Sequence, residues 1–216
     1  PWGNVDRTTP AAMQSGHWLS AGPALNLKTH PTVGASQRSI DAALQLQQDH
    51  RPTPEQIARI VIRVSEKHAA VMRLHRPTTA SEARFSAEFG VAAALVAGRV
   101  GLAELDDTFV QRADIQGLMG ICVIETGPDD DPSYPVGAKF DTVSLELKDG
   151  TVLTSDPVYR FRGHGDNPMS ETELREKFTI CASHAISPQQ IDELWDCLQA
   201  LATLPSVRKL PTLRYL

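Results

Sequence analysis

The clearest pattern in the chain lies over residues 76–101, RPTTASEARFSAEFGVAAALVAGRVG. Phe85, Phe89, Ala92, Val96 and Val100 recur at three- and four-residue steps, which predicts one helix with a shared apolar face. Thr79 or Ser81 suits its N-cap, because a side-chain oxygen there accepts a bond from a free N–H of the first turn. Glu82 then meets the positive end of the helix dipole. Ala92, Ala93 and Ala94 let another backbone approach closely, and Gly98 and Gly101 are stop signals.

Elsewhere the period changes. Residues 41–48 read as a helix that Pro52 and Pro54 break. Residues 57–64 (IARIVIRV) alternate apolar with polar and are rich in β-branched side chains, the mark of a half-buried strand. Short helical turns follow over 105–110 and 113–119. Residues 119–125 (MGICVIE) are apolar enough for a central strand. Residues 142–147 (TVSLEL) alternate cleanly, Asp149-Gly150 makes a tight turn, and 151–153 begin a return strand, so a β-hairpin is predicted.

Ser170 caps a helix over 171–183, with Glu173 in a capping-box position. Ser187 opens a second over 188–204, with Pro188 tolerated in its first turn. Phe178 and Trp195 lie on helical apolar faces and read as core. Leu194, Trp195, Leu198, Leu201 and Leu204 form a broad apolar face that is expected to meet another polypeptide. Four strands, several helices and one hairpin predict a two-layer α+β domain.

Composition adds mainly exclusions. The net charge of -5 and the lack of a basic cluster give no footprint for nucleic acid. An anionic substrate stays open, since local charge can oppose the net sign. No apolar run approaches the roughly 20 residues that span a bilayer, and no signal-peptide pattern is visible. Cys122, Cys181 and Cys197 are few and widely spaced, so reduced core thiols in a cytoplasmic protein are expected. Asp129-Asp130-Asp131 lacks the spaced ligands of an EF-hand and reads as a solvated acidic loop. No metal is proposed. Residues 162–167 (RGHGDN) are glycine-rich but lack the G-K-[ST] ending of a P-loop, so Arg162, His164 and Asp166 read as a solvated turn.

Lys28 follows Leu25 and Leu27 and precedes His30-Pro31. Pro31 biases His30 away from helix, so Lys28 sits on an extended segment. An ammonium held there suits a carboxylate-bearing substrate; a plain surface lysine fits the same residues. His30 suits a proton shuttle near neutral pH, and equally a half-exposed histidine with no role.

Several segments, in order, resemble the MmgE/PrpD family: EARFSAEFGVAAAL over residues 82–95, Lys28-Thr29-His30-Pro31 followed by Ile40-Asp41-Ala42, and Asn167-Pro168-Met169-Ser170 followed by Glu173-Leu174 and Lys177-Phe178. The resemblance implies the C-terminal part of an enzyme whose larger, all-helical domain comes first. Residues 1–27 are then a tail of that preceding region, 28–185 an α+β lid-type domain, and 186–216 a C-terminal helix and tail packing toward the helical domain. The sheet is expected to be mainly antiparallel.

The family also implies chemistry. Its members abstract a proton next to a carboxylate of a small di- or tricarboxylic acid, as dehydratases, decarboxylases or epimerases. They use neither an iron–sulfur cluster nor a nucleotide, and a homo-oligomer is expected. Lys28 falls at the family's cleft lysine, which makes Lys28 and His30 the catalytic candidates and Lys28, Gln37 and Phe89 the substrate-binding ones. Gln37 and Phe89 depart from the His and Tyr common in the family. Gln is no general base at neutral pH, and Phe has no hydroxyl. A dehydratase or lyase is the first expectation, a non-catalytic lid pairing with a separate helical chain the alternative, and an epimerase a third. The isolated chain is expected to be inactive.

Overall fold

The computed structural model describes residues 25–127 and 139–211. Residues 1–24 of the tail read over 1–27, and the acidic loop at Asp129–Asp131, lie outside them. A 3-10 turn, Gly34–Ser36, leads into α1, Gln37–His50. Then come β1 (Ile57–Ser65), α2 (Glu66–Val71), α3 (Ala80–Ala83), α4 (Ala87–Ala97), α5 (Asp107–Val110) and α6 (Ala113–Gly120). The strands β2 (Cys122–Gly127), β3 (Thr142–Leu147) and β4 (Val152–Thr154) precede α7 (Glu171–Ala182) and α8 (Pro188–Gln199).

The strands form one sheet in the order β2-β1-β3-β4. β1 pairs parallel with β2 and antiparallel with β3, and β3 pairs antiparallel with β4. The domain is α+β as expected, and its sheet is mixed, with two of the three strand pairings antiparallel. On one face Ile60 lies opposite Leu145 and Ile62 opposite Val143, all fully buried. On the other face the cross-strand neighbours Arg59 and Glu146 approach to 2.7 Å, and Arg63 and Glu125 to 3.2 Å. A sheet with one apolar and one charged face covers only the first, so α1 and α4 share a single core with it. The two helices come close because residue 90 is glycine: a Cβ there would lie 2.8 Å from Ile40 Cγ1.

Three expectations are corrected. The helix predicted across residues 76–101 is two helices. Thr79 accepts from Glu82 N to cap α3, and Ser86 accepts from Phe89 N to cap α4. A serine oxygen within an apolar run offers the backbone a cap, and here the new start wins. Phe85 is left between the helices, 45% exposed, off the face that Phe89 buries.

The apolar run 119–125 is split between α6, where Met119 is buried, and an edge strand whose Val123 is 39% exposed. β1 holds the centre instead. The helix predicted to residue 204 ends at Gln199, with a 3-10 turn at Leu201–Thr203.

The hairpin stands as predicted, with Gly150 in its turn at φ 89°. The predicted capping box of Ser170 with Glu173 is present, and Ser187, which opens the second helix as expected, forms a further box with Gln190. α7 and α8 meet through Phe178 and Trp195, whose ring centroids are 5.4 Å apart. Ile186, Ile191 and Trp195 are buried apart from the main core. Leu198 and Leu201 remain exposed. Cys181 is exposed too, against the expectation of a core thiol, whereas Cys122 and Cys197 are partly covered. Burial pushes the Cys122 thiol far above its ordinary value. Among the described residues no helix is long and apolar enough to cross a membrane.

Candidate functional site

A cavity of about 660 Å³ opens where the segment before α1, the start of α2 and residues 159–164 converge. Lys28, Arg38, Lys67, His68, Arg160 and His164 line it, together with apolar side chains such as Val33, Val71 and Phe161. Among the described residues no aspartate or glutamate lines it. In a chain of net charge -5, such a lining makes a local field suited to an anion.

The Lys28 segment is fixed from two sides. Lys28 Nζ donates to the Thr32 carbonyl at 3.1 Å, leaving two of its three donors beyond that bond. Leu27 N donates to Gly163 O at 2.8 Å, Gly165 N to Asn26 Oδ1 at 3.0 Å, and Thr29 Oγ1 to Arg162 O. The glycine-rich loop is thus a staple. Gly163 has φ 97°, and a Cβ there would fall 1.9 Å from the Leu27 carbonyl oxygen. Arg162 ties the loop onward to Glu173 at the start of α7. That guanidinium and the Ser170 cap hold the Glu173 carboxyl down at about 2.

Arg38 is held from behind. Its Nε lies 3.1 Å from Asp141 Oδ2 and its Nη2 2.8 Å from Oδ1, a two-pronged pair buried on both sides. Burial pushes the Asp141 carboxyl upward and Arg38 pulls it back. Arg38 Nη2 also reaches His68 Nδ1 at 3.4 Å. A guanidinium can only donate, so Nδ1 of His68 accepts. Similarly, Asp166 N donates to His164 Nδ1 at 3.0 Å, which places the hydrogen of a neutral ring on Nε2. Burial lowers the His164 pKa, which favours that neutral ring.

Of the catalytic and substrate-binding candidates read from the sequence, Lys28 alone lines the basic cavity. His30 is buried, with Nδ1 3.1 Å from Val100 O and Nε2 3.1 Å from Asp41 Oδ1. Its neighbourhood is a second cavity, of about 530 Å³, toward α7. Gln37 is fully buried beneath the same segment, bonded to His30 and Thr32. Phe89 is core, edge-on to Phe109 at 6.4 Å. His164, read as part of a solvated turn, is 8% exposed and lines the cavity.

Arg38, Lys67, His68 and Arg160 were not singled out. Arg38 carries a legible signal, since it stands four and eight residues before the buried Ala42 and Leu46, a charge in line with an apolar face. Lys67 and His68 are consecutive, but they meet Arg38 and Arg160 only through the fold. Among the described residues no cluster of metal-ligating side chains occurs.

A model of the MmgE/PrpD C-terminal domain matches residues 30–201. The chain belongs to the MmgE/PrpD family. Mouse cis-aconitate decarboxylase is 29% identical over 204 residues, 89% of this chain and 40% of that protein. The human cis-aconitate decarboxylase is 30% identical over 190 residues, 87% of this chain and 38% of that protein. A cis-aconitate decarboxylase-like protein of Aspergillus oryzae is 27% identical over 195 residues, 86% of this chain and 39% of that protein. The chain therefore spans about 40% of the length of these relatives. The MmgE/PrpD match takes in Arg38, Lys67, His68, Arg160 and His164, and begins two residues after Lys28.

Proposed function

We propose that this chain forms the cationic wall of the active site of a lyase acting on a small di- or tricarboxylic acid, with cis-aconitate as the first candidate. One observation carries the reading: a cavity lined by six basic or imidazole side chains and, among the described residues, by no carboxylate. The names of the relatives support it.

In a decarboxylation the bond to one carboxylate breaks, carbon dioxide leaves, and the electron pair stays on carbon until a proton fills the position. Two things are required, charge stabilisation for the developing anion and a proton donor. Lys28, Arg38, Lys67 and Arg160 supply the first, with the Nε–Nη2 edge of Arg38 already held by Asp141. His68 and His164 are the candidate donors. Dehydration and epimerisation next to a carboxylate ask for the same charge stabilisation and donor, and in addition for a base that takes the proton from the adjacent carbon.

The test is an activity screen of the full-length protein against cis-aconitate, citrate, 2-methylcitrate and iminodisuccinate. Release of carbon dioxide from cis-aconitate is the expected result. Turnover of another acid keeps the carboxylate site and moves the reaction to dehydration or epimerisation. Failure to bind or turn over any of them removes the reading. A second reading, a non-catalytic cover for a separate helical chain, is favoured by Gln37, whose amide is committed to holding backbone. Turnover that persists in the helical chain alone decides for it.

A further inference from the structure

The two ring nitrogens of His30 both face oxygens: Val100 O at 3.1 Å and Asp41 Oδ1 at 3.1 Å. The other Asp41 oxygen already accepts from Arg162 N at 2.7 Å. A backbone carbonyl can only accept, so Nδ1 carries a hydrogen. Between Nε2 and Oδ1 one more proton is needed, because a neutral ring would set a lone pair against a carboxylate. The His30 side chain is only 5% exposed, so water cannot relieve that clash.

The arrangement ties four pieces of chain together. His30 stands two residues after Lys28, Asp41 is on α1, Val100 follows α4, and Arg162 belongs to the loop that staples Leu27 and Thr29. We propose that His30 is held as an imidazolium, that it positions Lys28 in the basic cavity, and that losing its proton loosens this segment and weakens carboxylate binding. This rests on the reading of that cavity as a carboxylate site.

Other charged groups stand around the ring without replacing Asp41. Arg99 lies beside Val100 but is engaged by Glu104 at 2.8 Å. Across the second cavity α7 presents Glu173, Glu176, Lys177 and Cys181, and Glu173 is taken by Arg162. Among the described residues Asp41 is the one titratable side chain within hydrogen-bond distance of the ring.

The full-length protein, labelled with nitrogen-15 in histidine, provides the test. At acid pH both His30 ring nitrogens are expected to carry hydrogen. As pH rises one is lost, and the backbone amides of Lys28 and Val100 shift with the same midpoint. Affinity for cis-aconitate should fall about tenfold per pH unit more steeply in the wild type than in His30→Gln, the slope of one coupled proton. A ring with one bare nitrogen throughout the range overturns the proposal. So does a His30 titration that leaves the Lys28 amide and the affinity unmoved. If cis-aconitate never binds, the carboxylate reading fails, and the Lys28 amide shifts alone decide the positioning role. Should His30→Gln fail to fold, the wild-type titration of the same amides decides.

Discussion

Gln37 closes both backbone hydrogen bonds of His30 with one side-chain amide. Its Oε1 accepts from His30 N at 3.1 Å, and its Nε2 donates to His30 O at 3.0 Å and to Thr32 Oγ1 at 2.9 Å. Extended backbone beside a helix start has no ladder partner, so a buried amide replaces one. Gln37→Ala leaves a buried donor and a buried acceptor without partners, at about 1–3 kcal/mol each. The expected loss is about 2–5 kcal/mol in a urea titration. A loss below about 1 kcal/mol would mean that water or a shifted backbone fills the place.

Gly163 separates strain from collision. Gly163 and Gly150 both have positive φ, 97° and 89°. A Cβ at Gly150 meets nothing within 4 Å, whereas at Gly163 it meets the Leu27 carbonyl at 1.9 Å. Alanine at either position costs about 1–3 kcal/mol of backbone strain. Only Gly163→Ala should also displace the Lys28 segment. Both variants are expected to melt lower, and Gly163→Ala alone to lose cis-aconitate affinity. Equal affinities for the two would show that the staple does not set the site.

Much of the fold was open to reading because local rules governed it. Asp149-Gly150 made its hairpin, Ser170 capped the helix that its box marked, and Ser187 began the one that it opened. The failures share a cause. Ser86 and Thr79 compete for one helical register, and only packing decides that both win. The run around Cys122 reads the same at the centre or the edge of a sheet, because strand order is set by pairing with β1. Of the site, Lys28 was legible as an extended cation. His68 and His164 were not, since 96 residues of chain separate two groups that only the closed fold sets around one cavity.

His164 should leave a mark on stability against pH. Burial lowers its pKa below the ordinary value of 6.5. The unfolded chain therefore binds the proton more readily, and stability rises with pH through the window just below 6.5. The contribution is fully present above that value and is lost as pH falls through the folded-state pKa. Melting curves of the wild type and His164→Gln, taken from pH 7 downward, should converge as this contribution fades. Parallel curves across the window would show that His164 does not titrate differently on folding.

Lys28 is the residue whose loss should separate function from stability. Its ammonium contributes one hydrogen bond to the fold, to the Thr32 carbonyl, while the segment is held by backbone and by Thr29, Gln37 and His30. Lys28→Ala should therefore shift the melt little. Losing one preorganised charge contact to a developing anion costs about 3–4 kcal/mol of transition-state stabilisation, or about a hundred- to a thousand-fold in kcat. Lys28→Arg keeps the charge but replaces a compact ammonium with a planar fork, so it should recover binding more than turnover. The measurement is steady-state kinetics of the full-length protein on cis-aconitate, with a thermal melt of each variant beside it. Unchanged kcat and KM in Lys28→Ala would take this lysine out of the site and leave the cavity's charge to Arg38, Lys67 and Arg160.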